Sequence, residues 1–460
     1  MSGTSLMKKE IRLRRKPKAE KTESAPVAAS EPKKDGGTSF MKKEIRLRRK
    51  PKAQNTEGAN TESANTESAS AESASTVTEP KAKRSRPSLP SLSAPKLSLP
   101  KASKQSRRHG KIERVVGLKI GGSQIAAACI ANNGSAKLER IARVPLASGI
   151  VSGGELRDTQ ALADALRTFF EENDLPRHGV RLGVSSSRIG VRSIELPAID
   201  NETQFLNAIR FRAQEALPIP LDEAVLDYRV LDERQAEDGG QTLRRVLLVV
   251  AHRDLVDRYV DACRRAGLTL SGIDLEAFAL LRALAPPAQR DESAVVAVSI
   301  GYDRTTLAVS DGRHCEFSRV LAWGGAELNA ALARALGTSE VEVESVKRSL
   351  SLAGGDAPEG LSPEEAATAV DVLNRGIESL VRELVSSLTY YQSQPGSLAI
   401  GEIILTGGGA KLAGLPEALE RLLGVPVRLG DPLARLEVTG PVDESEIGSL
   451  AIAVGLGIED

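Results

Sequence analysis

The chain has 460 residues, with 62 Lys and Arg against 61 Asp and Glu, for a formal net charge of +1. That balance hides a split: residues 1–113 hold 27 basic and 12 acidic side chains, residues 114–460 the other 35 and 49, so the two parts carry +15 and −14. No run approaches the roughly 18 apolar residues that span a bilayer, the N-terminus lacks the apolar stretch of a secretory signal, and the three cysteines and four histidines are too scattered for a disulfide framework, a zinc pattern or His-based catalysis.

Residues 1–113 contain only Phe40 among the 13 aromatic residues. So little apolar surface cannot offset chain entropy, and the segment reads as a disordered basic arm. Within it GTSLMKKEIRLRRKPKA at 3–19 recurs as GTSFMKKEIRLRRKPKA at 37–53. Two copies separated by polar filler cannot stack a core. Each copy carries seven positive charges and one negative, MKKEIRLRRKPK, which suits a solvated charge run or attraction to anionic lipid. Without interleaved aromatic residues, sequence-specific nucleic-acid binding is not expected.

The folded body begins at Arg114. RVVGLKI, IAAACIA and KLERIARVPL read as three strands with turns at GGSQ and NNGS, followed by a helix at 155–173 and a strand at 180–186. Residues 187–273 read as a compact α+β insertion: strand, helix, two strands, helix and a closing strand at 269–273. Pro218 and Pro220 end its first helix. The opening pattern then returns: AVVAVSI, TTLAVSD and HCEFSRVLA are again three strands, joined by GYDR and DGR. Helices follow at about 326–336, 340–351 and 363–393. IILTGGGAKLAGLPEALERLLG reads as a strand whose glycine turn opens a helix, and a helix at 444–458 ends the body.

Two hairpin-led α/β halves with a glycine turn between a strand and a helix can present backbone N–H groups to an anionic ligand held between lobes. Each hairpin turn taken alone is an ordinary one. Ser185, Ser186 and Ser187 have no nucleophile elbow around them, no P-loop occurs, and Trp323 is expected at a lobe surface.

The order VGLKIGGSQI, FRAQEALPIPLDEAVLDYRVL, VLLVVAHRDLVDRYVDACRRAGL, GIDLEAFALLRAL, VSIGYDRTTLAVSDG, RVLAWGGAELN and ILTGGGAKLAGLPEALERLLGVPV resembles the actin and heat-shock-chaperone ATPase superfamily. More closely it resembles the PilM family of type IV pilus assembly, relatives of the division protein FtsA. The resemblance covers 114–460 and implies an α/β, actin-like two-lobed ATPase fold. Its first lobe would comprise 114–186 and 274–293, the inserted α+β subdomain 187–273, and the second lobe with the chain return 294–460. It further implies a nucleotide cleft and a cytoplasmic adaptor recruited to the inner membrane. The partner would be the N-terminal peptide of a PilN-like bitopic protein, with the pilus motor ATPases acting alongside.

By the same resemblance the nucleotide would meet Lys119, Gly121, Gly122, Ser123, Ser299, Gly301, Gly407, Gly408, Gly409 and Ala410, with Glu344 and Lys347 at the adenosine. Glu344 and Lys347, three apart on a helix, equally suit a plain ion pair. The family pattern has an Asp where this chain has Lys119 and another where it has Ser299. Those acids serve the metal and the attacking water. Their replacement shifts the local charge by +2 and +1, so ATP is expected without Mg²⁺ or not at all, no metal site is expected, and the reading leans away from an enzyme. The alternatives are an active ATP-hydrolysing protein and an FtsA-like division filament. PilN-type peptides present Ile-x-Leu close to a Pro, and the arm offers Ile11 and Leu13 with Pro17, and Ile45 and Leu47 with Pro51. Self-interaction of either copy with a peptide groove is therefore a further expectation.

Overall fold

A computed structural model of the chain describes residues 114–216, 220–235, 241–285, 293–439 and 447–459. Both arm motifs, with Ile11, Leu13, Ile45 and Leu47, and Pro218 lie outside these residues.

The body opens with β1 (Arg114–Ile120), β2 (Gln124–Asn132) and β3 (Ala136–Pro145), paired antiparallel in that order. A two-residue ribbon follows, β4 (Val151–Ser152) and β5 (Glu155–Leu156). Its turn needs Gly153 and Gly154, whose φ values are 60° and 81°. Helix α1 (Thr159–Glu172) therefore starts later than the sequence suggests, because the Asp158 side chain caps it by accepting from the Ala161 N–H at 2.9 Å. Leu156 is buried as expected, but from a strand. Strand β6 (His178–Val184) then pairs parallel with β1.

The insertion is a three-stranded antiparallel sheet of β7 (Ile189–Pro197), β8 (Ala224–Gln235) and β9 (Thr242–His252), ordered β7–β9–β8. Helix α2 (Glu202–Ala216) covers it, burying Phe205, Ile209 and Ala213 against Leu196, Val246, Leu248 and Val250. Next, α3 (Arg253–Arg265) packs on α1 and returns the chain so that β10 (Thr269–Leu275) lies parallel to β6. The strand read from sequence as closing the insertion is thus the edge of the first-lobe sheet, whose order is β10–β6–β1–β2–β3–β16, β16 being a late return strand. The insertion also reaches the second lobe, through a half-buried Arg245–Glu316 ion pair at 3.0 Å.

After α4 (Glu276–Leu284) the hairpin pattern repeats as β11 (Ser293–Ile300), β12 (Thr305–Ser310) and β13 (Cys315–Leu321). Helices α5 (Gly325–Leu336), α6 (Glu340–Ser349) and α7 (Pro363–Gln392) bury Leu328, Leu332, Val343, Leu373, Ile377 and Leu380 in the second-lobe core. Capping boxes of Ser339 with Glu342 and Ser362 with Glu365 set where α6 and α7 begin. Trp323, expected at a surface, is 4% exposed inside this core, and its carbonyl accepts from the Thr305 hydroxyl at 2.8 Å. Strand β14 (Ala399–Thr406) pairs parallel with β11. Its glycine turn does not open a helix directly. A 3₁₀ turn (Gly408–Lys411) comes first, and α8 (Leu415–Leu423) begins only after Gly414, which sits at φ 79°.

Finally, β15 (Val427–Leu429) ends the second sheet, β16 (Glu437–Val438) pairs with β3, and α9 (Ile447–Gly457) returns to the first lobe. Helix α9 reads IGSLAIAVGLG and is buried along nearly its whole length, as an all-apolar helix must be. It lies so close to β1 and α4 that a Cβ on Gly117 would stand 2.0 Å from the Ala453 carbonyl oxygen, and one on Gly455 1.8 Å from that of Ala279.

Candidate functional site

Turns from both halves converge on one cavity of about 130 Å³. The β1–β2 turn contributes Gly121, Gly122 and Ser123, and the β11–β12 turn Gly301 to Arg304. The segment after β14 adds Gly408, Gly409 and Lys411, α6 adds Glu344, Lys347 and Arg348, and α4 adds Glu276. Of the residues expected from sequence, Lys119, Gly121, Gly122, Ser123, Ser299, Gly301, Glu344, Lys347, Gly408 and Gly409 line it. Gly407 and Ala410 do not. The Gly407 N–H is spent on the Gly448 carbonyl at 3.1 Å and its φ is 91°, while Ala410 is buried in the second-lobe core. A side chain on Gly407 would strike the Ile300 carbonyl oxygen, whereas one on Gly408 would meet nothing within 4 Å.

Several charged residues lining the cavity were not singled out from sequence, among them Glu276, Asp303 and Arg304. Arg304 is 5% exposed. Its Nη2 donates to the Ile120 carbonyl at 3.1 Å and pairs with Glu276 at 3.4 Å, and its Nη1 reaches Asp303 at 3.1 Å. Asp303 in turn accepts from the Gly153 N–H at 2.7 Å, across the gap between the lobes. The Ser185 and Thr306 hydroxyls share a hydrogen bond at 3.0 Å, and the Thr406 hydroxyl donates to the Gly448 carbonyl at 2.7 Å. The second-lobe hairpin is therefore bolted to the first lobe through its turn. The available signal was an Arg and an Asp in GYDR beside strands without charge, and two acids, Asp274 and Glu276, in the otherwise apolar run GIDLEAFALL.

Lys119 points from β1 into this cavity and is 8% exposed. Burial lowers its pKa, with Arg304 adding to the effect and Glu276 and Asp303 opposing it. At the far wall the Lys347 ammonium donates to Glu344 and to the Asn329 side-chain oxygen, both at 2.7 Å, and Arg348 donates to Glu344 at 2.9 Å. Burial pushes the Glu344 carboxyl up, but these hydrogen bonds outweigh it and leave it below the usual range. Glu344 and Lys347 thus line the cavity and form an ion pair at once.

A hydrated divalent cation does not fit this donor set. The positions where the resemblance places carboxylates hold Lys119 and Ser299, and the three carboxylates present are each engaged by Arg or Lys. Among the described residues no three His, Cys, Asp or Glu side chains gather as metal ligands.

A second cavity, of about 760 Å³, opens where the insertion meets both lobes. Leu231, Leu247, Val249, Phe278 and Leu281 give it an apolar floor. Asp227 to Arg229 come from β8 and Asp274 from β10, each an edge strand of its own sheet. Among the described residues no helix is long and apolar enough to cross a membrane.

Residues 117–460 match the family described as Type IV pilus assembly protein PilM. The chain belongs to that family. Among solved structures it is similar to a PilM–PilN type IV pilus biogenesis complex, at 26% identity and TM-score 0.63, covering 75% of this chain and 98% of that one. The cell division protein FtsA of Escherichia coli K12 is 24% identical over 380 residues, 74% of this chain and 89% of that protein. FtsA of Pseudomonas aeruginosa PAO1 is 25% identical over 374 residues, 73% and 88% respectively. The fold is the actin-like two-lobed fold of the PilM family.

Proposed function

We propose that this PilM-family chain is an adaptor that binds the N-terminal peptide of a PilN-like bitopic membrane protein. It would thereby be recruited to the cytoplasmic face of the inner membrane and linked to the pilus motor ATPases. The observation that carries the reading is the larger cavity: an apolar floor with residues from β8 and β10, each an edge strand of its own sheet. An extended peptide can add to such an edge by main-chain hydrogen bonds while alternate side chains enter apolar pockets. The similar solved structure being a PilM–PilN complex supports the choice of partner. Nucleotide is a ligand at most, because the hairpins carry Lys119 and Ser299 where hydrolysis needs carboxylates.

The test is a titration of the chain with the cytoplasmic N-terminal peptide of a PilN-like bitopic protein, followed by Val249→Asp and Phe278→Ala variants. Binding that weakens about tenfold or more in both variants is expected. No binding by the folded chain at high micromolar peptide overturns the adaptor reading. Steady Mg²⁺-dependent ATP turnover lost in Lys119→Met would instead favour a hydrolase.

A further inference from the structure

The smaller cavity holds two buried cationic groups without sufficient partners. Among the described residues the Lys119 side chain makes no hydrogen bond and no ion pair within 4 Å, although it is more than nine-tenths buried and lines the cavity. The Nε of Arg304 is buried with no hydrogen-bond partner at all. An unsatisfied buried donor costs roughly 1–3 kcal/mol, and more when it is charged. One such donor, beside a nearly buried and unpaired ammonium on the same cavity wall, describes a site suited to an anion. The turn groups agree: Gly121 spends its N–H on the Gln124 carbonyl, whereas the N–H groups of Gly122 and Ser123 have no partner among the described residues. Counting its walls, the cavity carries Lys119, Arg143, Arg304, Lys347, Arg348 and Lys411 against Glu276, Asp303 and Glu344, six positive charges to three negative.

We propose that this cleft binds a phosphate-type oxyanion without a divalent cation, the Lys119 ammonium and the Arg304 guanidinium supplying the positive charge that Mg²⁺ supplies in an acid-lined cleft. An ammonium is a compact point charge and suits a phosphate oxygen, while a guanidinium offers directed N–H groups. The same two cations repel a free divalent ion. The cavity, at about 130 Å³, is well below the roughly 300–1,000 Å³ of drug-sized ligand sites, so it matches a phosphate or pyrophosphate group and not a whole nucleotide. The anion can arrive free or as the tail of a nucleotide whose base stays outside. The inference is independent of the adaptor reading, since it uses neither the larger cavity nor a peptide.

The full-length chain, in EDTA, is titrated calorimetrically with inorganic pyrophosphate and, separately, with ADP. Thermal unfolding is followed in parallel for wild type, Lys119→Met and Lys119→Arg. Pyrophosphate should bind and raise the wild-type Tm, and added Mg²⁺ should not tighten it beyond its own complexation of the ligand. Lys119→Met should bind about 10- to 100-fold more weakly, with Lys119→Arg recovering part of the loss. Lys119→Met also removes a buried unpaired charge, so its ligand-free Tm should be at or above wild type, which separates lost binding from lost folding. ADP binding about tenfold more tightly than pyrophosphate would identify the nucleotide tail as the source, and equal affinity a free anion; either supports the site. Three results overturn it: no binding in EDTA by a chain that unfolds cooperatively, binding that requires Mg²⁺, or a Lys119→Met variant that binds like wild type.

Discussion

The two hairpins that face each other across the cleft share a framework and differ in where they keep their charge. Gly117, Lys119, Ile120 and Gly121 in the first correspond to Ala297, Ser299, Ile300 and Gly301 in the second. Gly121 and Gly301 each close their turn with an N–H to the carbonyl three residues on, both at 2.9 Å. In the first hairpin the charge sits within the strand and the turn is bare; in the second the strand is neutral and the turn carries Asp303 and Arg304. The backbone path is thus separable from the chemistry. One hairpin presents a buried cation, and the other crosses the cleft and holds the lobes together.

The largest effect is expected from cutting the bolt. Arg304→Met leaves Glu276 buried without its cation, a change that costs roughly 3–5 kcal/mol where one partner of a buried pair is removed. Chemical denaturation should show that loss. A variant within 1 kcal/mol of wild type would mean that the two hairpins are held apart from their charges.

Second comes a position where the first hairpin has no room for the Cβ that the second one carries. Gly117→Ala drives a Cβ into the Ala453 carbonyl and should cost about 3 kcal/mol, while Ala297 already carries a Cβ at the matching place. An unchanged Tm for Gly117→Ala would show that α9 can slide away from β1.

A pH series sharpens the contrast between Lys119 and Ser299. The Lys119 pKa is depressed in the fold, so between that lowered value and its ordinary 10.5 the unfolded chain binds more protons than the native one. Stability from this group therefore rises with pH in that window and is lost as pH falls through the folded value. The groups facing it are Glu276 from α4 and Asp303 and Arg304 from the second hairpin. In phosphate-free buffer, wild type should gain Tm relative to Lys119→Met as pH is raised toward 10.5; parallel curves would place the ammonium in contact with water.

The smallest effect tests the glycine turn after β14. Gly408→Ala should fall within about 0.5 kcal/mol of wild type, since nothing lies within 4 Å of the new Cβ. Gly407→Ala should cost clearly more, from both its φ of 91° and its contact with Ile300. Equal stabilities would contradict the assignment of Gly407 to packing and Gly408 to the cavity wall.

Much of the architecture was readable along the chain because it rests on local pattern. Short apolar runs bounded by Gly, Asn, Ser and Asp marked both hairpins, and an apolar stripe marked α1. The errors came where a short-range signal met a competing one. Leu156 matches the helical stripe, but Gly153, Gly154 and the Asp158 cap hold it in a ribbon. Trp323 beside two glycines reads as surface, and only the arrangement of α5 and α7 over the second sheet encloses it.

By itself the sequence determined the charge split, the repeated hairpins, the family and the presence of Lys119 and Ser299 where the family resemblance leads one to expect acids, since each is written in residue identity and spacing. Tertiary structure alone decided that β10 joins the first sheet, that Arg304 reaches Glu276, 28 residues away, and Ile120, 184 away, that Asp303 reaches Gly153, 150 away, and that the Lys119 side chain faces them unpaired. Such couplings depend on strand register and on which helix covers which face. Those are long-range choices set by burying the whole apolar surface at once, and no local stretch of chain encodes them.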